Sequence, residues 1–160
     1  MPTIALDQDY QTYLRRKFPA TPAQTLDVQV QEVLKYLYLA SLSPGTISLF
    51  VTRELDDIWH ALILETLAYE RLCASFPSST FIHHSSRDYP DASPASHAAE
   101  ALQTEMVFYA NYVHVFDGYS DETISYWPGV QRLMQAAELH NADEVNQYLR
   151  AIAQTDELMS

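Results

Sequence analysis

The chain is poor in the residues that would tie it to several large classes of protein. A single cysteine, Cys73, rules out an internal disulfide framework and agrees with a reducing compartment. Basic residues are scarce: nine Lys plus Arg stand against 21 Asp plus Glu, a net charge of -12. A field of that sign repels phosphate backbones and anionic membrane surfaces, so neither nucleic acid nor a membrane is expected as a partner. A metal cation or a neutral or basic protein fits it better. Long apolar runs are missing too, the longest being near residues 33–40 and 61–64, far short of a bilayer span. Residues 1–7 hold no basic stretch followed by an apolar one, the pattern of a secretory signal. These absences together predict a soluble cytoplasmic protein.

Glycine is limited to three residues, and few segments alternate apolar with polar in the manner of strands. Helical periodicity dominates instead. A first helix is expected over residues 9–18, closed by Pro19 and Pro22, with Arg15, Arg16 and Lys17 in its last turn, where the helix dipole favours cations. Thr25 is placed to cap a second helix to about Ser41, with Leu26, Val30, Val33, Leu34 and Leu37 at three- and four-residue steps, before Ser43-Pro44-Gly45. Residues 46–51 fit either a helical turn or an extended piece. Thr52 is placed to cap a third helix reaching Phe76, and residues 77–94 read as one long loop. Ser93-Pro94 opens a fourth helix that ends at Asp117-Gly118. Residues 121–127 read as a connector, Pro128-Gly129 leads into a fifth helix over 130–140, and Asn141 with Glu144 forms a capping box for the last. With 160 residues, 48% hydrophobic and 19% charged, the expectation is a single all-α domain, residues 1–160, built as a bundle of five or six helices with one long loop.

Chemistry concentrates in one place. Leu55-Asp56-Asp57-Ile58-Trp59-His60 is followed by Cys73 and then by Phe81-Ile82-His83-His84. On the third helix Leu55, Ile58, Trp59, Leu62, Thr66, Tyr69 and Cys73 form a stripe that faces the core. Asp56 and His60 lie one turn apart on its flank, near the core edge. Such a pair supplies an oxygen and a nitrogen to a metal, or lets a carboxylate orient an imidazole for acid–base work. The plainer reading is an ion pair that pins the loop. Phe81 and Ile82 would anchor the loop and turn one imidazole of His83-His84 towards His60; neighbours in an extended segment point oppositely, so only one of the two serves. The expected metal-binding set is therefore Asp56, His60, His83 and His84, holding a divalent ion such as iron or zinc. HExxH, paired CxxC and repeated Glu-x-x-His motifs are all missing, so zinc-protease and ferritin-like chemistry lack their ligands. Glu105 is a candidate for completing a site.

Cys73 falls on the apolar stripe and reads as a filler more than a nucleophile. Eleven tyrosines fit either a protein-binding face or buried packing with bonded hydroxyls.

These residues resemble a family related to the conserved N-terminal region of plant glycine-rich-domain proteins. That family shows a capping Ser or Thr, a Val-Asp-x-x-Trp-His-x-His-x-Leu-x-Thr-x-x-Tyr pattern, a later Cys and an aromatic-x-His-His. The counterparts here are Thr52, Leu55, Asp56, Trp59, His60, Leu64, Thr66, Tyr69, Cys73, Phe81, His83 and His84, with Tyr112, Phe116 and Trp127-Pro128 similar downstream, so the likeness covers roughly residues 30 to 130. It implies a helical fold and carries no established reaction. The family's second helical His falls at Leu62, which implies the loss of a ligand if that family holds a metal through both imidazoles.

The sequence thus points to a small acidic helical binding or accessory protein, with a protein partner, whose Trp-His and His-His residues either hold a divalent metal or brace a helix–loop junction. An enzyme using the same ions, with Asp57 or Glu105 moving protons, is the second reading. An inhibitor or immunity-type protein acting by acidic mimicry of nucleic acid is the third; the carboxylates form no regular ladder to support it.

Overall fold

The computed structural model describes residues 2–42, 51–84 and 95–159. Within them every regular element is a helix: α1 (Gln8–Lys17), α2 (Ala23–Leu42), α3 (Arg53–Leu64), α4 (Thr66–Ala74), α5 (Ala95–Phe116), α6 (Asp121–Ile124), α7 (Pro128–Ala136) and α8 (Ala142–Met159). The all-α expectation holds, but the described helices number eight and not five or six. Two local events account for the difference. The long third helix is broken at Glu65 into α3 and α4, and the expected connector contains α6, started by a capping box in which the Ser120 side chain accepts from Thr123 N–H. None of the described helices is long and apolar enough to cross a membrane.

Contacts group the chain into two units, the first comprising α1–α4 and the segment up to His83, the second beginning at His84 and comprising α5–α8. In the first, α3 packs on α2, α1 and α4. Its core is Leu14, Leu26, Val33, Leu34, Leu37, Leu55, Ile58, Leu62 and Tyr69. Asp7 caps α1 by accepting from Tyr10 N–H at 2.8 Å. α2 begins ahead of its expected cap: Leu26 N–H already bonds to the Pro22 carbonyl, so Thr25 lies inside the helix. Thr52 does occupy the N-cap position of α3, yet its hydroxyl makes no capping bond. The expectations for residues 46–50 and for the Ser93-Pro94 cap fall outside the described residues.

The break between α3 and α4 has a definite chemistry. Glu65 leaves the helical region (φ −87°, ψ 69°) and its N–H bonds to the Leu62 carbonyl at 3.2 Å. The Ala61 carbonyl, which an unbroken helix would pair with that N–H, accepts instead from the Tyr13 hydroxyl at 3.0 Å, and Leu62 accepts also from Tyr10 at 2.6 Å. Two tyrosines one turn apart on α1 therefore satisfy the carbonyls that the break exposes. Leu64 and Leu67 flank it with their side chains in solvent, and Thr66, expected on the buried stripe, is exposed, because the helical phase does not carry across the break.

In the second unit α5 packs on α8 and α6 on α7. Trp127, fully buried, sits among Phe108, Tyr112 and Tyr119, and the Tyr112 and Tyr119 rings stack 4.0 Å apart. The Asn146 amide bridges both backbone groups of Tyr119, accepting from its N–H at 2.8 Å and donating to its carbonyl at 2.9 Å. Gly118 beside it has φ +111°, and a Cβ there would lie 2.7 Å from the Asn146 side chain. Asn141 caps α8 through Glu144 N–H as expected, whereas the Glu144 carboxylate accepts from His140 N–H, one residue earlier than a reciprocal box requires.

Gly129 lies directly against the buried Tyr109 hydroxyl, which has no hydrogen-bond partner among the described residues. Gly129→Ala should destabilise this unit despite a better helix propensity, by about 1–3 kcal/mol of overpacking. Tyr109→Phe removes an unsatisfied hydroxyl and should be neutral or stabilising. In the double variant the loss should be smaller than for Gly129→Ala alone; strict additivity in urea unfolding would show that the two sites do not touch.

Candidate metal centre

α3 presents Leu55, Ile58, Trp59 and Leu62 to the core. Four residues separate Asp56 from His60, which brings both over one patch at the rim of that face. His60 is more open than expected: its side chain is 49% exposed and that of Asp56 25%. The His60 Nδ1 lies 2.9 Å from the Asp56 backbone carbonyl and 3.4 Å from the Asp56 carboxylate. In the tautomer with the proton on Nδ1, that proton is donated to the carbonyl and the Nε2 lone pair is left for a ligand, the arrangement by which an outer hydrogen bond orients a metal-binding imidazole.

The other imidazoles arrive on the segment beyond α4. Tyr69, fully buried on α4, accepts from Trp59 Nε1–H at 3.0 Å and donates its hydroxyl proton to the Ile82 carbonyl at 2.7 Å. The Phe81 ring meets the Tyr69 ring edge-on at 5.2 Å. Exposure alternates from here: Phe81 and His83 are exposed, Ile82 and His84 partly covered. His83 turns outward and rests on Phe81, 4.8 Å between ring centres. His84, joined to this anchored segment by one peptide bond, turns the other way.

Asp56, His60 and His84 each offer one donor atom, and these atoms all lie within 4.8 Å of one another. Donors sharing one ion at about 2.0–2.2 Å stand roughly 3–4 Å apart, so the trio needs a small contraction at most. Three of the four expected ligands are thus gathered, and His83 is left outside. Asp57 is not part of the group; it is exposed and pairs with Arg53 at 3.8 Å. Glu105 pairs with Arg132 at 3.5 Å. Leu62, where the resembling family has its second helical His, is fully buried in the core, and its carbonyl accepts from the Tyr10 hydroxyl. Residues two apart on a helix do not share a face, so this position does not belong to the Asp56–His60 patch.

Among the described residues the tyrosines have gone mainly to packing: Tyr10, Tyr36, Tyr69, Tyr109, Tyr112 and Tyr119 are buried, and of the described tyrosines Tyr148 alone is among the large exposed hydrophobics. The hydroxyls of Tyr10, Tyr13 and Tyr69 are the connecting bonds that sequence reasoning did not assign. Only spacing could have signalled them, since Tyr10 and Tyr13 are one turn apart. Comparison with protein-family models, with curated proteins and with solved structures finds no match for this chain.

Cys73 is buried beneath the same segment. Burial pushes its thiol pKa up, and hydrogen bonding with the Ile82 backbone and the Tyr69 hydroxyl offsets this in part. A raised pKa leaves less thiolate at pH 7 to 8. Native protein should therefore react with a thiol reagent many-fold more slowly than urea-unfolded protein, and equal rates would contradict a covered Cys73.

Proposed function

We propose that this protein is a small acidic binding or accessory protein that holds one divalent transition-metal ion through Asp56, His60 and His84. The convergence of these three donors within 4.8 Å is the observation that carries the reading. Two imidazoles and one carboxylate suit zinc or iron(II) and are a poor set for magnesium or calcium, which take oxygen ligands almost throughout. With the proton on Nδ1, the contact of His60 with the Asp56 carbonyl would orient the ring for such a role, and the net charge of -12 raises the local concentration of any cation. The resemblance to the glycine-rich-domain-related family rests on the same Asp-x-x-Trp-His and His-His residues.

A second reading, a metal-dependent enzyme, draws on the ligand count. Three protein donors leave positions open on the ion, as catalytic sites do and closed structural sites do not. The half-exposed His60 leaves such a position reachable from solvent. When bound, the ion would supply Lewis-acid polarisation or a water of lowered pKa; no substrate is assigned.

Titration of tag-free protein with zinc(II) or cobalt(II), followed by calorimetry and native mass spectrometry, should give one ion per chain. Asp56→Ala, His60→Ala and His84→Ala should each weaken binding at least about tenfold, while His83→Ala leaves it unchanged. A wild-type protein that takes up no metal would falsify the proposal, and an equal loss in His83→Ala and His84→Ala would mean that the two imidazoles are wrongly assigned.

A further inference from the structure

The distance of His84 from α3 in sequence raises a physical problem. A ligand delivered by an extended segment is useful only if something holds that segment in register, because a shift of one residue would present His83 in place of His84. We propose that Tyr69, with Phe81 against its ring, is the positioning residue that sets this register and brings His84 to Asp56 and His60. This rests on the metal reading above and extends it to the residues that govern the site.

Three observations carry it. Tyr69 is fully buried, so its hydroxyl is held at a fixed point. That hydroxyl accepts from Trp59, the residue immediately before His60, and donates to Ile82, two residues before His84. One oxygen atom therefore ties the helix that carries two ligands to the segment that carries the third. The Phe81 ring, 5.2 Å from Tyr69 and 4.8 Å from His83, holds the outward imidazole on the solvent side and so fixes which of the adjacent pair turns inward. Tyr69 itself touches no ion; its effect on the site runs through the Ile82 carbonyl and the Trp59 indole.

The test compares full-length wild type, Tyr69→Phe, Phe81→Leu and, as a stability control in the second unit, Leu149→Ala. Metal-free protein is measured first, by nuclear Overhauser contacts between the His60 and His84 rings. The wild type should show the contact. Folded Tyr69→Phe should lose it, Phe81→Leu should weaken it, and Leu149→Ala should keep it although its melting temperature falls. Cobalt(II) is then added: Tyr69→Phe should bind about 10–100-fold more weakly, with an altered d–d absorption spectrum, and Leu149→Ala as tightly as wild type. A Tyr69→Phe protein that keeps both the contact and the spectrum overturns the assignment. Should that variant fail to fold, an unchanged contact in Phe81→Leu does the same. A wild type that shows the His60–His84 contact but binds no cobalt rejects the metal reading and leaves the register to be decided by the contact alone.

Discussion

The break between α3 and α4 is the constraint on which the first unit depends. In one continuous helix Trp59 and Tyr69, ten residues apart, would be separated by about 15 Å along the axis, and no hydrogen bond could join them. They are joined at 3.0 Å because the chain turns at Glu65. That turn contains neither proline nor glycine, so local propensity does not impose it. It is maintained from outside, by the Tyr10 and Tyr13 hydroxyls that bond the Leu62 and Ala61 carbonyls. A helix end buried without such donors would leave polar groups unsatisfied at a cost of about 1–3 kcal/mol each. α1 therefore does more than cover the core, since its two hydroxyls stabilise the bend that places Tyr69 beneath the segment of His83 and His84.

This explains an abundance of tyrosine in a chain poor in lysine and arginine. Each of Tyr10, Tyr13 and Tyr69 combines a ring that packs with a hydroxyl that donates to a distant backbone carbonyl. Phenylalanine would supply the first and not the second. Burial holds the Tyr10 and Tyr69 hydroxyls protonated by raising their pKa, so they remain donors throughout the ordinary pH range. In the second unit the same residue type does different work: Tyr112 and Tyr119 stack with each other and close around Trp127, while Tyr109 packs its hydroxyl on Gly129 with no partner among the described residues.

Periodicity made most of the helices legible, because their apolar faces repeat with the helical period: Leu26, Val33, Leu34 and Leu37 on α2, and Leu55, Ile58, Trp59 and Leu62 on α3, are all buried. The failures have different origins. Thr66 was expected inside because the helical wheel was carried past Glu65, and the wheel contains no information about a carbonyl bonded by another helix. The start of α2 was placed at Thr25 on a capping preference, but the Pro22 carbonyl accepts first. α6 was overlooked because four residues are too few for a period to register. For the site, the i to i+4 spacing put Asp56 beside His60, whose side chains lie 3.4 Å apart, and period-two alternation is the pattern of exposure seen at residues 81–84. Which of His83 and His84 is the more exposed was not legible, since alternation gives no phase and the Tyr69–Ile82 bond that anchors the segment leaves no periodic signal.

The position of Leu62 shows how a pattern and a geometry differ in what they say about a ligand. Read as a motif, Trp-His-x-Leu in place of the Trp-His-x-His of the resembling family looks like a site missing one donor. On the helix, position 62 lies roughly 200° around from position 60, and here it is fully buried while His60 is half in solvent. A histidine at 62 would have to enter the buried core, and it could not share an ion with His60 on one unbroken helical face. The donors that do converge come from the turn before His60 and from the far end of the segment after α4. Which donor atoms lie near one another thus follows from the chain's return at residues 81–84, and a leucine at position 62 takes no donor out of that group.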